Sequence, residues 1–296
     1  MKELPNPTFA MSPVALPHII RGSLCPSGNS LRAAPVQKPE VGKISVGWAS
    51  NQDEVRQAQR LRYQVFAVEM GANLPVTLAG HDIDLFDDYC EHLLVRDQPS
   101  GDVIGTYRVL TPTQAKRVGS TYSDTEFDLT RLRGLRERMV ELGRSCVHAE
   151  HRHGGVILAL WGALAEFMMR NQLDTMIGCA SIPMQHKGVT SGQAAASIWR
   201  QVSQTHLASI EYRVTPRLAL PVERLDGSLQ VEPPALIKGY LRLGAKVLGA
   251  PAWDPEFNSA DLPMMMRIAD LPPRYLKHFA AKPVISGVNS GVFVKA

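Results

Sequence analysis

The run at 141–148, ELGRSCVH, sets a carboxylate, a guanidinium and an imidazole on one short segment whose Leu142, Cys146 and Val147 can anchor a buried strand. Glu141, Arg144 and His148 would be costly to bury without partners, so their presence in an apolar pattern marks a place for chemistry. A carboxylate held there can take a proton from a reacting group, and an arginine can orient a second carboxylate through paired hydrogen bonds. Glu141 is therefore a candidate general base. The alternative is a structural ion pair with Arg144 or Arg108, and the residues alone leave both open.

The same run leads into Gly154 and Gly155, where a glycine turn before a helix can offer backbone N–H groups to a phosphate. His148, His151 and His153 stand near Cys146, but neither a CxxC nor an HExxH spacing occurs. A strand followed by a loop should also point these side chains in different directions, so no metal is expected. There is no GxSxG elbow, and Ser145 falls within a strand pattern rather than at a strand-to-helix turn, which disfavours a serine hydrolase. No Walker loop or dinucleotide fingerprint is present.

Elements must position these groups. Val55, Ala58, Leu61, Val65 and Phe66 recur at helical spacing, predicting a helix over 53–68 with Asn51 as N-cap and Gly71 as stop. Strands at 91–96 and 103–110 flank a turn at 98–102 and form a hairpin. The polar stretch 111–128 reads as a long loop. A strand is expected over 139–148, an apolar helix over 156–170, and a buried strand over 175–180. Helices at 193–206 and 234–243 and strands near 245–248 and 264–268 complete the pattern. This order predicts an α/β (α+β) layer fold, with a mixed central sheet flanked by helices.

The chain has 296 residues, 45% hydrophobic and 20% charged, enough for a sizeable core without staples. Its four cysteines are widely spread, which points to reduced thiols and a cytoplasmic protein. A net charge of +4 is too weak to argue for nucleic acid, and no apolar run reaches bilayer-spanning length. Residues 1–43 hold seven prolines and five basic against two acidic residues, and read as a flexible arm with at most weak adhesion to an anionic surface. The expected organisation is this arm, a catalytic domain over 44–280 with an extended C-terminal portion, and a tail over 281–296.

Four spaced fragments then belong together: Arg62 and Phe66 in RYQVF, Asp87 in FDDYCEHLLV, Arg108 at the end of GDVIGTYR, and Glu141 with Arg144 in ELGRSCVH. In that order they resemble acyltransferases of the acyl-homoserine lactone synthase type, a branch of the Gcn5-related N-acyltransferase fold. With GCAS, GAKVLGAPAWDPEFNSADLP and PPRYLKHF added, the stretch 45–280 resembles more closely the L-ornithine Nα-acyltransferases of ornithine-lipid synthesis. The resemblance implies transfer of a 3-hydroxyacyl group from acyl carrier protein to the α-amine of L-ornithine, giving lyso-ornithine lipid. It implies no tightly bound cofactor, the donor arriving on the carrier's phosphopantetheine.

Under that resemblance Glu141 becomes the expected base and Arg144 an organiser of the catalytic face. Arg62, Phe66, Asp84, Asp87, Arg108 and Asp261 are the expected acceptor-side residues, because ornithine offers a carboxylate and a cationic side chain; Asp88 is a further acidic candidate. Cys146, Val147, His148, Arg152, Gly154 and Gly155 are the expected donor side, the backbone N–H groups of 146–148 polarising the thioester. Arg152 and Gly155 match the fold's coenzyme A loop, but Ile157 stands where a small residue is usual and should crowd a diphosphate. That departure favours a carrier-bound donor with one phosphate. Acyl carrier proteins are acidic, and Lys116, Arg117, Arg131, Arg133, Arg136, Arg138 and Arg152 offer a basic face, whose plainer role is solvation. The competing readings are a lactone synthase using S-adenosylmethionine and a non-catalytic protein touching the inner membrane.

Overall fold

The computed structural model describes residues 44–75 and 77–273. The arm expected at 1–43, the end of the catalytic domain and the C-terminal tail lie outside the described residues.

An eight-stranded sheet forms the centre. Its strands are β1 (Ile44–Trp48), β2 (Glu91–Asp97), β3 (Val103–Leu110), β4 (Met139–Val147), β5 (Thr175–Pro183), β6 (Lys246–Val247), β7 (Ala252–Asp254) and β8 (Ser259–Arg267). The order is β1-β2-β3-β4-β5-β8-β6, with β7 also pairing β8. β4 and β5 run parallel, and the other neighbours are antiparallel.

The helices are α1 (Gln52–Tyr63), α2 (Pro112–Val118), α3 (Tyr122–Glu126), α4 (Gly155–Arg170), α5 (Gln193–His206) and α6 (Ala235–Arg242). Asn51 caps α1 by accepting from the Glu54 N–H at 3.0 Å. Beyond Tyr63 the helix continues as a π-helical turn, Gln64–Glu69, which carries Phe66. Helix α4 lays Leu160, Leu164 and Met168 against Leu93, Val95 and Val140 of the sheet. Ile198 and Val202 of α5 and Ile237 of α6 pack on Ile182, Leu262 and Met264, while the next residue, Met265, joins Phe127 and Leu132 in another cluster. Neighbouring residues of β8 thus face opposite sides, and both faces of the sheet are covered. Each such fully buried Leu or Ile contributes about 1.5–3 kcal/mol.

Two expectations change. The stretch 111–128 is not a plain loop: it folds into α2 and α3, each closed by a capping box, Thr111 with Gln114 and Thr121 with Asp124. The boxes and Pro112 at the helix start were local signals, masked because these short turns bear no apolar period. β8 begins at Ser259 rather than 264 and runs through Pro263, a residue that argues against an interior strand. The proline is accommodated where β8's outer neighbour changes: the chain passes from β6 to β7 there, and the Leu248 N–H bonds the Pro263 carbonyl at 2.8 Å.

The feature that matters for function is the brevity of the β4–β5 pairing. It spans Met139↔Thr175, Val140↔Met176 and Glu141↔Ile177, after which the two strands part. At Gly178 a Cβ would overlap the Leu142 carbonyl, so only glycine permits this approach at the fork. Just beyond, Arg144 and Ser145 of β4 together oppose Tyr107 of β3, a β-bulge between the pairs Thr106↔Cys146 and Arg108↔Gly143. Arg144 takes a φ of 50°, in the left-handed region that non-glycine residues rarely occupy. The bulge bends β4 away from β5 and re-aims the Arg144 side chain.

Candidate active site

The fork opens into a cavity of about 580 Å³. One end is apolar, walled by Leu142, Ile157, Trp161, Leu236 and the rings of Tyr107 and Tyr240. The other end is polar and acidic, with Glu141, Tyr122, Ser181, Asp254 and Asp261 in its wall. The two ends are separately cross-linked. The Tyr107 and Tyr240 hydroxyls pair, and Trp161 lies 5.8 Å from the Tyr240 ring, whereas the Tyr122 hydroxyl donates to Asp254 at 3.0 Å.

Glu141 stands at the fork, where β4 loses its neighbour. It pairs with neither Arg144 nor Arg108; its two carboxylate oxygens accept the backbone N–H groups of Tyr122 at 2.8 Å and Ser123 at 2.6 Å. Those N–H groups belong to the first turn of α3, which has no intrahelical acceptor for them. Burial pushes the carboxyl up from its ordinary value, and the bonds from Ser123 and Tyr122 oppose this without cancelling it. A buried carboxylate with its proton affinity raised, in the wall of a cavity, is chemically suited to accept a proton from a reacting group.

The three arginines form a charge-balanced network with three aspartates. Arg62, fully buried, holds Asp82 at 2.7 Å and Asp87 at 2.8 Å. Arg108 holds Asp84 at 2.5 Å and Asp87 at 2.9 Å, and Arg144 holds Asp84 at 2.8 Å with Asp82 3.2 Å from its Nε. Burial works against ionisation of Asp87, but Arg62 and Arg108 hold its carboxyl well below the usual carboxylate range. The network ties the segment 82–87 to α1, β3 and β4, so the fold positions it through one residue from each element.

Among the residues expected on the acceptor side, Phe66, Arg108 and Asp261 line the cavity. Arg62, Asp84 and Asp87 do not: their charged groups are spent on each other behind the wall, which is the bracing role that ionic clusters of this kind can also fill. Asp88 is exposed at the surface. Arg144 belongs to both places. Its guanidinium carbon lies 4.9 Å from the Tyr122 ring and 4.6 Å from the Phe257 ring, both cavity walls, while its far side meets the aspartates.

On the donor side, Cys146, Val147, Arg152 and Gly154 line the cavity, and Gly155 opens α4 just outside the lining. Gly154 has a φ of 97°, a turn that favours glycine. Arg152 does not face the helix start freely: it donates to the Val147 carbonyl at 2.9 Å and pairs with Glu69 at 2.6 Å. The backbone N–H of His148, expected among the thioester donors, is already bonded to the Ile104 carbonyl at 2.8 Å as part of the ladder with β3. A strand turns successive N–H groups to opposite sides, so the Val147 N–H faces the fork instead.

The histidine loop also departs from expectation. His148, Glu150 and His151 do not diverge: their ligand atoms all lie within 4.8 Å of one another, because the 3-10 turn Ala149–His151 brings positions three apart to one side. The basic face is largely paired, with Lys116 to Glu137, Arg136 to Asp124, Arg138 to Asp174 and Arg152 to Glu69. Arg117, Arg131 and Arg133 remain without a carboxylate partner among the described residues.

Several wall residues were not anticipated as functional. Tyr122 lay in the supposed loop, and Asp254 lay in the APAWDPEF fragment without a chemical signal of its own. Behind the wall, Asp82, the shared partner of Arg62 and Arg144, was hidden beside Asp84, Asp87 and Asp88. Cys90, Cys146 and Cys179 line one cavity as free thiols. Burial pushes the first two up to about 12 and the third well above the usual thiol range.

A mixed sheet that forks beside a bulged strand, with a helix starting at a glycine turn, defines a GNAT-type acyltransferase. A family model described as an Acetyltransferase (GNAT) domain matches residues 61–162. The L-ornithine N(alpha)-acyltransferase of Agrobacterium fabrum is 35% identical over 260 residues, covering 82% of this chain and 87% of that one. That of Rhodobacter capsulatus is 36% identical over 233 residues, covering 74% and 87%, and that of Brucella abortus 31% identical over 257 residues, covering 82% and 90%. The solved structure of a CoA-dependent acyl-homoserine lactone synthase is similar with a TM-score of 0.47 and 15% identity over 81% of this chain and 89% of that one. The chain belongs to the L-ornithine Nα-acyltransferase family.

Proposed function

We propose that this protein transfers a 3-hydroxyacyl group from acyl carrier protein to the α-amine of L-ornithine, releasing lyso-ornithine lipid for ornithine-lipid synthesis. The observation that carries this reading is the two-ended cavity at the β4–β5 fork, apolar toward α4 and α6 and acidic toward β7 and β8, with Glu141 in its wall. Such a space accommodates a hydrocarbon chain at one end and a polar, cationic acceptor at the other, with the reacting atoms between them.

In the reaction the ornithine α-ammonium gives a proton to Glu141, directly or through water, and the neutral amine attacks the thioester carbonyl. The new C–N bond forms as the C–S bond breaks, the attacking nitrogen loses its remaining extra proton to the departing sulfur, and the carrier's phosphopantetheine leaves as the free thiol. The Val147 N–H polarises the carbonyl oxygen, while the Cys146 and His148 N–H groups face β3. Attack is direct rather than through an acyl-cysteine, which accords with burial keeping the three cavity thiols protonated. Ile157 in the glycine-turn position supports a carrier-bound donor over a diphosphate-bearing one, and Arg117, Arg131 and Arg133 are the arginines left for an acidic carrier.

The reaction takes place in the cytoplasm, with peripheral contact at the inner membrane where the product is used; no helix among the described residues is long and apolar enough to cross a membrane. The test mixes purified protein, 3-hydroxyacyl carrier protein and a panel of amines and measures free carrier thiol. Release with ornithine is expected. Release only with S-adenosylmethionine would establish a lactone synthase, and release with no amine would remove the acyltransfer reading.

A further inference from the structure

The acidic end of the cavity carries more negative charge than its surroundings balance. Asp254 and Asp261 lie on adjacent strands of the β7–β8 hairpin: Asp254 is paired opposite Ser259, and Asp261 is two residues further along the same face. The two carboxylates are therefore diagonal neighbours, an arrangement that like charges disfavour. Both are buried, and both line the cavity. Their hydrogen bonds come from neutral donors: Asp254 accepts from Tyr122 Oη and from the N–H groups of Glu256 and Phe257 at 2.9–3.0 Å, and Asp261 accepts from Ser259 Oγ at 2.9 Å. Neither makes an ion pair among the described residues. Burial and the Asp254 charge push Asp261 up to about 6, and Glu126 nearby rises to about 7 from burial and the same two aspartates.

A second observation points to the other half of a ligand. Arg144 is nine-tenths buried and lines the same cavity between the Tyr122 and Phe257 rings. Its Nε–H has no hydrogen bond, although Asp82 lies 3.2 Å away, because the geometry is poor. Its Nη1 makes no hydrogen bond among the described residues. A buried guanidinium with unused donors calls for a carboxylate, and buried carboxylates bonded only by neutral donors call for a cation.

We infer that Arg144 takes the α-carboxylate of the acceptor while Asp261 and Asp254 take its side-chain ammonium, so that this pair selects a cationic α-amino acid over a neutral one of the same length. The inference rests on the acyltransfer reading and adds the residues that set acceptor choice. Tyr122 is the positioning residue: its hydroxyl fixes Asp254, its ring packs on Arg144, and its backbone N–H holds Glu141, linking both substrate contacts to the base.

The experiment compares kcat/KM for L-ornithine and L-norvaline, which differ by the δ-amine, with one 3-hydroxymyristoyl carrier protein donor. Wild-type protein should favour ornithine strongly, and Asp261→Asn should reduce that ratio at least tenfold. Asp254→Asn should do the same, and its ratio decides if Asp261→Asn fails to fold. Arg144→Lys should lower kcat/KM for both amino acids to a similar extent, because both carry the α-carboxylate. A wild-type enzyme that acylates norvaline as well as ornithine, or an Asp261→Asn ratio equal to wild type, overturns the inference. Acylation of neither amino acid instead overturns the acceptor reading on which it rests.

Discussion

Glu141 is where position and proton affinity meet. Its carboxylate is fixed by two backbone N–H groups rather than by a cation, so it retains a raised pKa that a salt bridge would have abolished. Glu141→Gln keeps the shape but removes the base; turnover at neutral pH with saturating ornithine should fall about 10²- to 10⁴-fold, measured by thiol release. Asp261 shows the opposite trade. An unfolded chain ionises it near 3.8, but the fold does so only near 6, because burial and the Asp254 charge raise it more than Ser181, Ser259 and Arg144 hold it down. The resulting cost to stability is absent below the unfolded value, grows as pH rises toward 6 and is complete above it. Asp261→Asn should therefore stabilise the ligand-free protein by about 1–3 kcal/mol at pH 7.5, with the gain vanishing near pH 4 in thermal melts, even as ornithine preference is lost. Arg62 marks a different class of residue, buried and facing no cavity. Arg62→Ala leaves Asp82 and Asp87 buried without their main partner and should cost about 3–5 kcal/mol in denaturant unfolding.

At the scale of elements, the cavity exists because β4 and β5 agree for three residue pairs and then separate. Gly178 lets the strands approach at the fork, and the bulge at Arg144 and Ser145 turns β4 away beyond it. Gly178→Ala should force the Leu142 carbonyl outward, destabilising the protein by about 1–3 kcal/mol and lowering turnover through the adjacent Glu141. The main strands and helices were legible from alternation, helical spacing and the Asn51 cap. The two short helices after β3 were not, since their evidence was confined to capping boxes in a polar stretch. The extent of β8 was obscured by Pro263, whose missing N–H is harmless at the one place where the strand's outer neighbour changes.

At the scale of the molecule, the cavity joins an apolar half under α4 and α6 to an acidic half built by α3 and the β7–β8 hairpin. The C-terminal portion thus supplies Tyr240, Asp254 and Asp261 to the cavity whose wall holds the proposed base, Glu141 of β4. The proposed docking of a carrier protein involves the outer surface. With most of the basic face already paired, Arg133 is one of few exposed arginines left to meet an acidic carrier. Arg133→Glu should lower kcat/KM several-fold for a carrier-bound donor and leave a free pantetheine thioester nearly unaffected, and added salt should narrow the gap between the two donors.

The sequence by itself determined the layer fold, the family, the base candidate on the strand at 139–147 and the arginines around it. These are properties of residue type and spacing, and short-range periodicity records them. Which charges serve the site and which only brace it was decided by tertiary structure. Arg62, Arg108 and Arg144 look alike in the chain, yet one is sealed behind the wall, one lines the cavity while spending its charge on the aspartates, and one is turned into the cavity by a bulge that no local pattern announces. Asp254 and Asp261 meet Glu141 only because β8 returns to pair with β5 and α3 folds across the fork. Charge becomes function there through distance and burial, and both are set by contacts between residues far apart in the chain.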